Sequence, residues 1–93
     1  MSFSTAPFTT VLGWCEKNKC NRIDITNLDN GFVQTLFVWK EHEVVIQINT
    51  STLISSIEIK KDLGEDLKNL IFSQENILLE NCLEILEFNL SNE

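Results

Sequence analysis

The sequence has few of the residues from which catalytic sites are usually built. It contains a single histidine, His42, among 93 residues, and it has no phosphate-binding loop, dinucleotide fingerprint or nucleophile elbow. A Cys–His nucleophile pair would need a thiol within hydrogen-bond reach of that histidine. Because His42 falls in a predicted hairpin turn between two glutamates, we expect a solvated side chain. We therefore predict that the protein is not an enzyme and has no catalytic residues.

Cysteine is also scarce, and its count of three is odd. An odd number excludes a fully paired disulfide scaffold of the secreted kind, and we expect reduced thiols. Cys15, Cys20, His42 and Cys82 could formally supply a zinc-binding set, but structural zinc sites usually show close cysteine pairs at both ends of the set. We predict that the protein binds no metal and no cofactor.

The segment GWCEKNKC, residues 13–20, holds two of the three thiols. Cys15 falls on the apolar face of a predicted helix, and Cys20 falls beyond the end of that helix. If both were helical, five residues would place them more than 100° apart around the axis. We therefore expect the two residues to be too far apart for a disulfide, beyond ~7 Å between Cα atoms.

Long hydrophobic runs are missing as well. No apolar stretch approaches the ~20 residues that a membrane-spanning helix needs, and the first residues lack the basic start and long apolar region of a signal peptide. The composition, with 43% hydrophobic residues, one proline and three glycines, is ordinary for a globular protein. We expect one cytoplasmic domain over residues 1–93, with no membrane contact.

Charge is distributed unevenly along the chain. Residues 1–61 contain six acidic and six basic side chains, whereas residues 62–93 contain eight acids and one base, Lys68. The net charge of −7 therefore lies in the last third. Such a segment repels phosphate and favours a basic partner.

The first two thirds of the chain predict a helix followed by three strands. Apolar residues at helical spacing after Pro7 predict a helix over residues 7–18. Alternating and β-branched residues predict strands over residues 22–28, 32–40 and 43–50. Asn30 and Gly31 are the strongest short-range hairpin signal between the first two strands.

The last third is harder to assign. Residues 51–60 fit either a short fourth strand or a loop. Asp62 and Glu65 have the spacing of a capping box and predict a helix that starts near Asp62. A second apolar face predicts helix from Glu75 onward, with a C-terminal strand as the alternative for its end. The predicted fold class is α+β: an N-terminal helix, a three- or four-stranded antiparallel meander, and one or two C-terminal helices.

The central predicted strands carry apolar residues on both faces, although an antiparallel sheet with one wet face should alternate cleanly. Either helices cover both faces, or one face binds another protein or a second copy of the chain. We favour covering by the protein's own helices, because the long C-terminal segment is available for it.

The order of one helix, three strands and a further helix resembles the double-stranded-RNA-binding fold over residues 8–72. In that family, lysines at the start of the second helix contact phosphates, and Lys60 and Lys61 lie near the corresponding place. The resemblance implies RNA or protein contact and gives the alternative function. The family's Lys-Lys-x-Ala-Lys pattern is absent, and the acids after Lys61 oppose phosphate binding.

The favoured function is a small acidic protein-binding module. Its expected partner is a basic protein that acts on nucleic acid, as for an inhibitor or immunity-type protein, with nucleic acid itself unlikely as a ligand. Acidic residues would steer the encounter and aromatic residues would supply affinity. The candidate partner-binding residues are Asp62, Glu65, Asp66, Glu80, Glu84, Glu87, Trp39, Phe37 and Trp14.

Overall fold

A helix, five strands and a second helix follow one another in the part of the chain that the structure describes. This computed structural model describes residues 6–28, 30–65 and 67–90, and of residues 6–8 it describes the backbone alone. The elements are α1 (Ala6–Lys17), β1 (Asn21–Asn27), β2 (Phe32–Trp39), β3 (His42–Asn49), β4 (Ile54–Gly64), β5 (Leu67–Leu78) and α2 (Leu79–Leu90). The strands form one antiparallel sheet in the order β1-β2-β3-β4-β5. The predicted α+β class, N-terminal helix and antiparallel meander are confirmed.

The prediction of three or four strands is too low, and the predicted helix starting near Asp62 is wrong. Asp62 Oδ1 accepts a hydrogen bond of 2.9 Å from the backbone N–H of Gly64, so this side chain stabilises a turn instead of a helix start. Gly64 and Glu65 have φ values of 81° and 52°, in the left-handed region that tight hairpins use. Gly64 then pairs with Leu67, and the chain returns as β5.

The second predicted C-terminal helix exists, but it begins at Leu79 and not at Glu75, because the preceding residues belong to β5. It continues to Leu90, so the alternative of a C-terminal strand is wrong within the described residues. Its buried residues recur at helical spacing. They are Leu79, Cys82, Leu83, Leu86 and Leu90.

One face of the sheet packs against both helices. Burial alternates along β2 and β3, where every second side chain is buried. Phe37, Ile46 and Ile57 are 0% exposed at the centre of this face. They form a single cluster with Val11 and Cys15 of α1 and the buried residues of α2.

The other face, which we call the open face, differs from expectation. Leu36, Val38 and Val45 point to it and are partly exposed. The helix residues of the core cluster all join the opposite face, so neither described helix covers the open face. The prediction that the protein's own helices cover both faces is therefore wrong for the residues that the structure describes.

Strands β4 and β5 also make the topology different from that of the double-stranded-RNA-binding fold. Residues 67–72, which the resemblance would place in a second helix, lie in β5. Lys60 and Lys61 lie within β4 and pair in register with Glu43 and His42. The order of elements thus differs from helix, three strands, helix.

The expectation that His42 is a solvated turn residue is also wrong. It begins β3 instead of sitting in the turn, and it is 1% exposed. Its Nδ1 lies 2.7 Å from the carbonyl oxygen of Lys40, which is an acceptor, so Nδ1 carries the proton in this contact. The turn itself is made by Lys40 and Glu41, which have φ values of 51° and 64°.

Neither helix in the described ranges has both the length and the hydropathy required to span a membrane.

Candidate functional site

The outer side of α2 carries the acidic residues that helical spacing predicted there. Glu80, Glu84 and Glu87 are exposed. Glu87 has a structural contact, because its Oε1 accepts a hydrogen bond of 2.7 Å from Trp14 Nε1 on α1. Within the described ranges, the ion pairs join Lys60 to Glu58 and Lys68 to Glu43. Glu80 and Glu84 therefore form no ion pair with a described base, although Lys40 lines a pocket together with Glu84.

The other predicted acids lie on a different element. Asp62 lies in β4, where it pairs in register with Lys68, and Glu65 lies in the β4–β5 turn. Asp66 lies outside the described residues. The structure thus divides the predicted acidic set into a group at the β4–β5 turn and a group on α2.

The predicted aromatic anchors lie mostly inside the protein. Phe37 is 0% exposed and Trp39 is 9% exposed, which gives both a core position. Trp14 is partly buried and packs against them, with ring centroids 5.8 Å from Phe37 and 4.8 Å from Trp39. Through its ring contacts and its bond to Glu87, Trp14 joins α1 to both the sheet and α2.

The end of α2 is fixed by a neighbouring cation. Lys40 Nζ donates a hydrogen bond of 3.2 Å to the carbonyl oxygen of Leu90 and lies 4.8 Å from the ring centroid of Trp39. A cation at the C-terminal end of a helix stabilises it through the helix dipole. This contact holds the last turn of α2 beside the β2–β3 turn.

Phe88 is the surface residue that sequence reasoning missed. Its side chain is 76% exposed on α2. With Phe72 of β5 and Ile85 of α2, it lines a shallow groove that is mainly apolar and also contains Glu84. The signal was available, because Phe88 falls outside the stripe of buried residues in α2.

Strand β5 is an edge of the sheet. It is twelve residues long and pairs with β4 on one side only, so the other side offers backbone N–H and C=O groups along its length. Large apolar side chains remain exposed near the β4–β5 turn. They are Leu63, Leu67, Leu70 and Ile71, with exposed fractions of 44–60%.

These features adjoin one another. Phe72 belongs to β5 and faces the groove formed with α2, and Leu78 at the end of β5 leads directly into α2. We use the name β5–α2 surface for the outer edge of β5 together with Phe72, Glu80, Glu84, Ile85 and Phe88. This surface combines a free strand edge, an apolar groove and negative charge.

The three thiols occupy two places. Cys82 is buried in α2, and burial raises its pKa to about 11. Cys15 and Cys20 lie together at the end of α1. Within the described ranges, no three His, Cys, Asp or Glu side chains converge in a way that could hold a metal ion.

Neither a protein-family model, nor a curated protein, nor a solved structure matches this chain.

Proposed function

We propose that this protein is a non-enzymatic protein-binding module that holds an extended, basic segment of a partner along the β5–α2 surface. The observation that carries the proposal is the exposed Phe88 and the exposed acids Glu80 and Glu84 of α2 beside the free edge of β5. A basic protein that acts on nucleic acid is the expected class of partner, and inhibition of that partner is one outcome of binding.

The free edge supplies the first part of recognition. An extended peptide can add a strand to an exposed sheet edge, where main-chain hydrogen bonds provide affinity without regard to sequence. The twelve residues of β5 are longer than an average strand of five to six residues. This length leaves room for pairing despite the irregular register between β4 and β5.

The groove supplies the second part. Alternate side chains of an added strand point to the same face, so one set would face Phe72, Ile85 and Phe88. A few well-packed aromatic contacts usually dominate the energy of an interface. The exposed ring of Phe88 is the best-placed anchor of this kind among the described residues.

Charge supplies the third part. Residues 62–93 hold eight acids and one base. One of those acids, Glu84, lines the groove, and Glu80 is exposed one turn earlier on α2. Complementary charge increases the rate of encounter and selects against partners of the same sign. A partner segment with lysine or arginine beside apolar residues fits this arrangement.

A matched pair of charge reversals tests the proposal. Glu80→Lys with Glu84→Lys changes the charge on α2, and Glu16→Lys with Asp24→Lys makes the same change on exposed positions of α1 and β1. Glu87 is left intact, because its bond to Trp14 is structural. Each protein is immobilised and exposed to extract of the source cell at low salt, and the captured proteins are quantified.

Proteins that bind the wild type should be retained by the α1–β1 variant and lost from the α2 variant and from Phe88→Ala. Equal capture by the wild type and the α2 variant would contradict the proposal. Capture that is lost only in the α1–β1 variant would move the binding surface away from β5 and α2, to the exposed positions of α1 and β1.

Self-association through the open face is a second candidate, because Leu36, Val38 and Val45 are partly exposed there. Sedimentation equilibrium measures it directly. A dimer that Val45→Lys converts to a monomer would support this candidate, whereas a monomeric wild type across the concentration range would exclude it.

A further inference from the structure

The last turn of α1 brings Cys15 and Cys20 together through its backbone hydrogen bonds. The N–H of Cys20 donates to the carbonyl oxygen of Cys15 at 2.9 Å, and the N–H of Lys19 donates to that of Glu16 at 3.3 Å. Lys19 has a left-handed φ of 57°. These 6→1 and 5→2 bonds define a Schellman motif, with Lys19 at the left-handed position.

A Schellman motif frequently brings the side chains of its first and last residues into contact. Here those residues are the two cysteines, each close enough for its thiol to affect the pKa of the other, and Cys20 packs against the core cluster that contains Cys15. The expectation that the two residues are too far apart assumed that the helix continues. It fails because the chain reverses at Lys19 and returns Cys20 to the level of Cys15.

The two thiols differ in access. Cys15 is 0% exposed and belongs to the core cluster, whereas Cys20 is partly exposed at the edge of that cluster. A reagent in solution therefore reaches Cys20 first and finds Cys15 directly behind it. This order of access is what a two-step exchange on a thiol pair requires.

We propose that Cys15 and Cys20 form a modification site at which a low-molecular-weight disulfide, such as glutathione disulfide, is exchanged for an intramolecular protein disulfide. The proposal is independent of the β5–α2 surface and of the proposed function.

The exchange balances in two steps. The thiolate of Cys20 attacks one sulfur of the small disulfide, a mixed disulfide forms on Cys20, and one small thiol leaves. The thiolate of Cys15 then attacks the Cys20 sulfur, the protein disulfide forms, and the second small thiol leaves. Two protein thiols are oxidised, one small disulfide is reduced to two thiols, and the two thiol protons go to the leaving groups.

The surroundings of the pair support this order. Burial raises the pKa of Cys15 to about 12, and the neighbouring Cys20 thiol adds to the effect. Burial also raises the pKa of Cys20, but the hydrogen bond with Cys15 acts to lower it. Strongly oxidising dithiols owe their character to a stabilised thiolate in the reduced form. That stabilisation is weak here, so the closed disulfide should persist once it forms.

The test treats the full-length folded protein with excess glutathione disulfide, quenches with acid, and follows intact mass and peptide maps. The wild type and the control Cys82→Ser should each lose two hydrogens in mass and link Cys15 to Cys20. Cys15→Ala should instead accumulate one glutathione on Cys20, with a lifetime at least ~100-fold longer than in the wild type, because the neighbouring thiol acts at high effective concentration. Cys20→Ala should form neither product at that position.

A lasting glutathione adduct on Cys20 in the wild type would overturn the proposal, because it would show that Cys15 does not reach it. Modification of Cys82 before Cys20, or disulfides that join only separate chains, would overturn it as well. The wild-type result decides the question even where Cys15→Ala does not fold, since the link is mapped in the native protein.

Discussion

Two positions on α2 separate the core from the proposed binding surface. Leu86 is 0% exposed and belongs to the core cluster, whereas Phe88, two residues later, is 76% exposed. Both are large apolar residues on one helix, and both become alanine without loss of helix propensity. Any difference between the two substitutions therefore reports on burial and not on the helix itself.

The expected magnitudes differ several-fold. Truncation of a fully buried leucine costs about 2–5 kcal/mol through lost burial and the cavity that remains. A domain of this size has a free energy of unfolding of roughly 5–14 kcal/mol, so Leu86→Ala removes a large part of it. The corresponding fall in melting temperature is roughly 10–30 °C. Phe88→Ala should change stability by no more than about 0.5 kcal/mol.

Urea unfolding followed by tryptophan fluorescence measures both variants, since Trp14 and Trp39 lie in or beside the core. Capture of the partner, measured in parallel, should show the reverse order: Phe88→Ala loses binding while Leu86→Ala, where still folded, keeps it. If Phe88→Ala destabilised the protein by more than about 1.5 kcal/mol, the ring would be part of the core. Phe88 would then not be a surface anchor.

Three further predictions concern two glycines, the contact between Trp14 and Glu87, and the thiols. Gly13→Ala should stabilise the protein by roughly 0.5–1 kcal/mol, because a methyl group there meets open space within α1. Gly64→Ala, at φ 81°, should destabilise it by about 1 kcal/mol or more, and equal effects in urea unfolding would refute this contrast. Trp14→Phe removes the hydrogen bond to Glu87 and should lower the free energy of unfolding by about 1 kcal/mol. An unchanged free energy of unfolding would show that this contact does not stabilise the fold. Iodoacetamide should label Cys20 before Cys15 in the native protein. Because burial raises the pKa of Cys20, the labelling rate should keep rising with pH above the range in which an ordinary thiol ionises. Mass mapping that finds Cys15 labelled first would contradict this order.

The first half of the fold was predictable because its signals are local. Alternation and the Asn30–Gly31 turn define β1 to β3, and the observed α1, Ala6–Lys17, matches the predicted residues 7–18 to within one residue at each end. The stretch from Asp62 to Leu78 was not predictable in the same way. Its apolar residues have helical spacing: Leu63, Leu67, Leu70 and Ile71. The register between β4 and β5 is irregular, so the sequence of β5 lacks the strict alternation of apolar and polar residues that would predict a strand.

The candidate site was predictable where helix periodicity sufficed. Helical spacing correctly predicted that Glu80, Glu84 and Glu87 lie together on the exposed side of α2. That side is opposite the stripe of buried residues. The role of Trp39 could not be read in this way. Both faces of β2 carry apolar residues, so the sequence does not determine which face the helices cover, and the structure places Trp39 on the covered one.

The assignment of β5 as an edge strand changes the meaning of the acidic C-terminal third. Natural sheets often guard an edge with lysine, but the only base in this segment, Lys68, pairs with Glu43 at 2.6 Å. Strand β5 itself carries one acid, Glu75, besides this lysine, and Lys60 and Lys61 of β4 pair in register with Leu70 and Asn69. The charge near the β4–β5 turn is therefore mixed, whereas the exposed acids Glu80 and Glu84 lie on α2 at the other end of β5. A basic segment that added to the edge of β5 would meet the opposite sign at the α2 end, which favours the partner class proposed above.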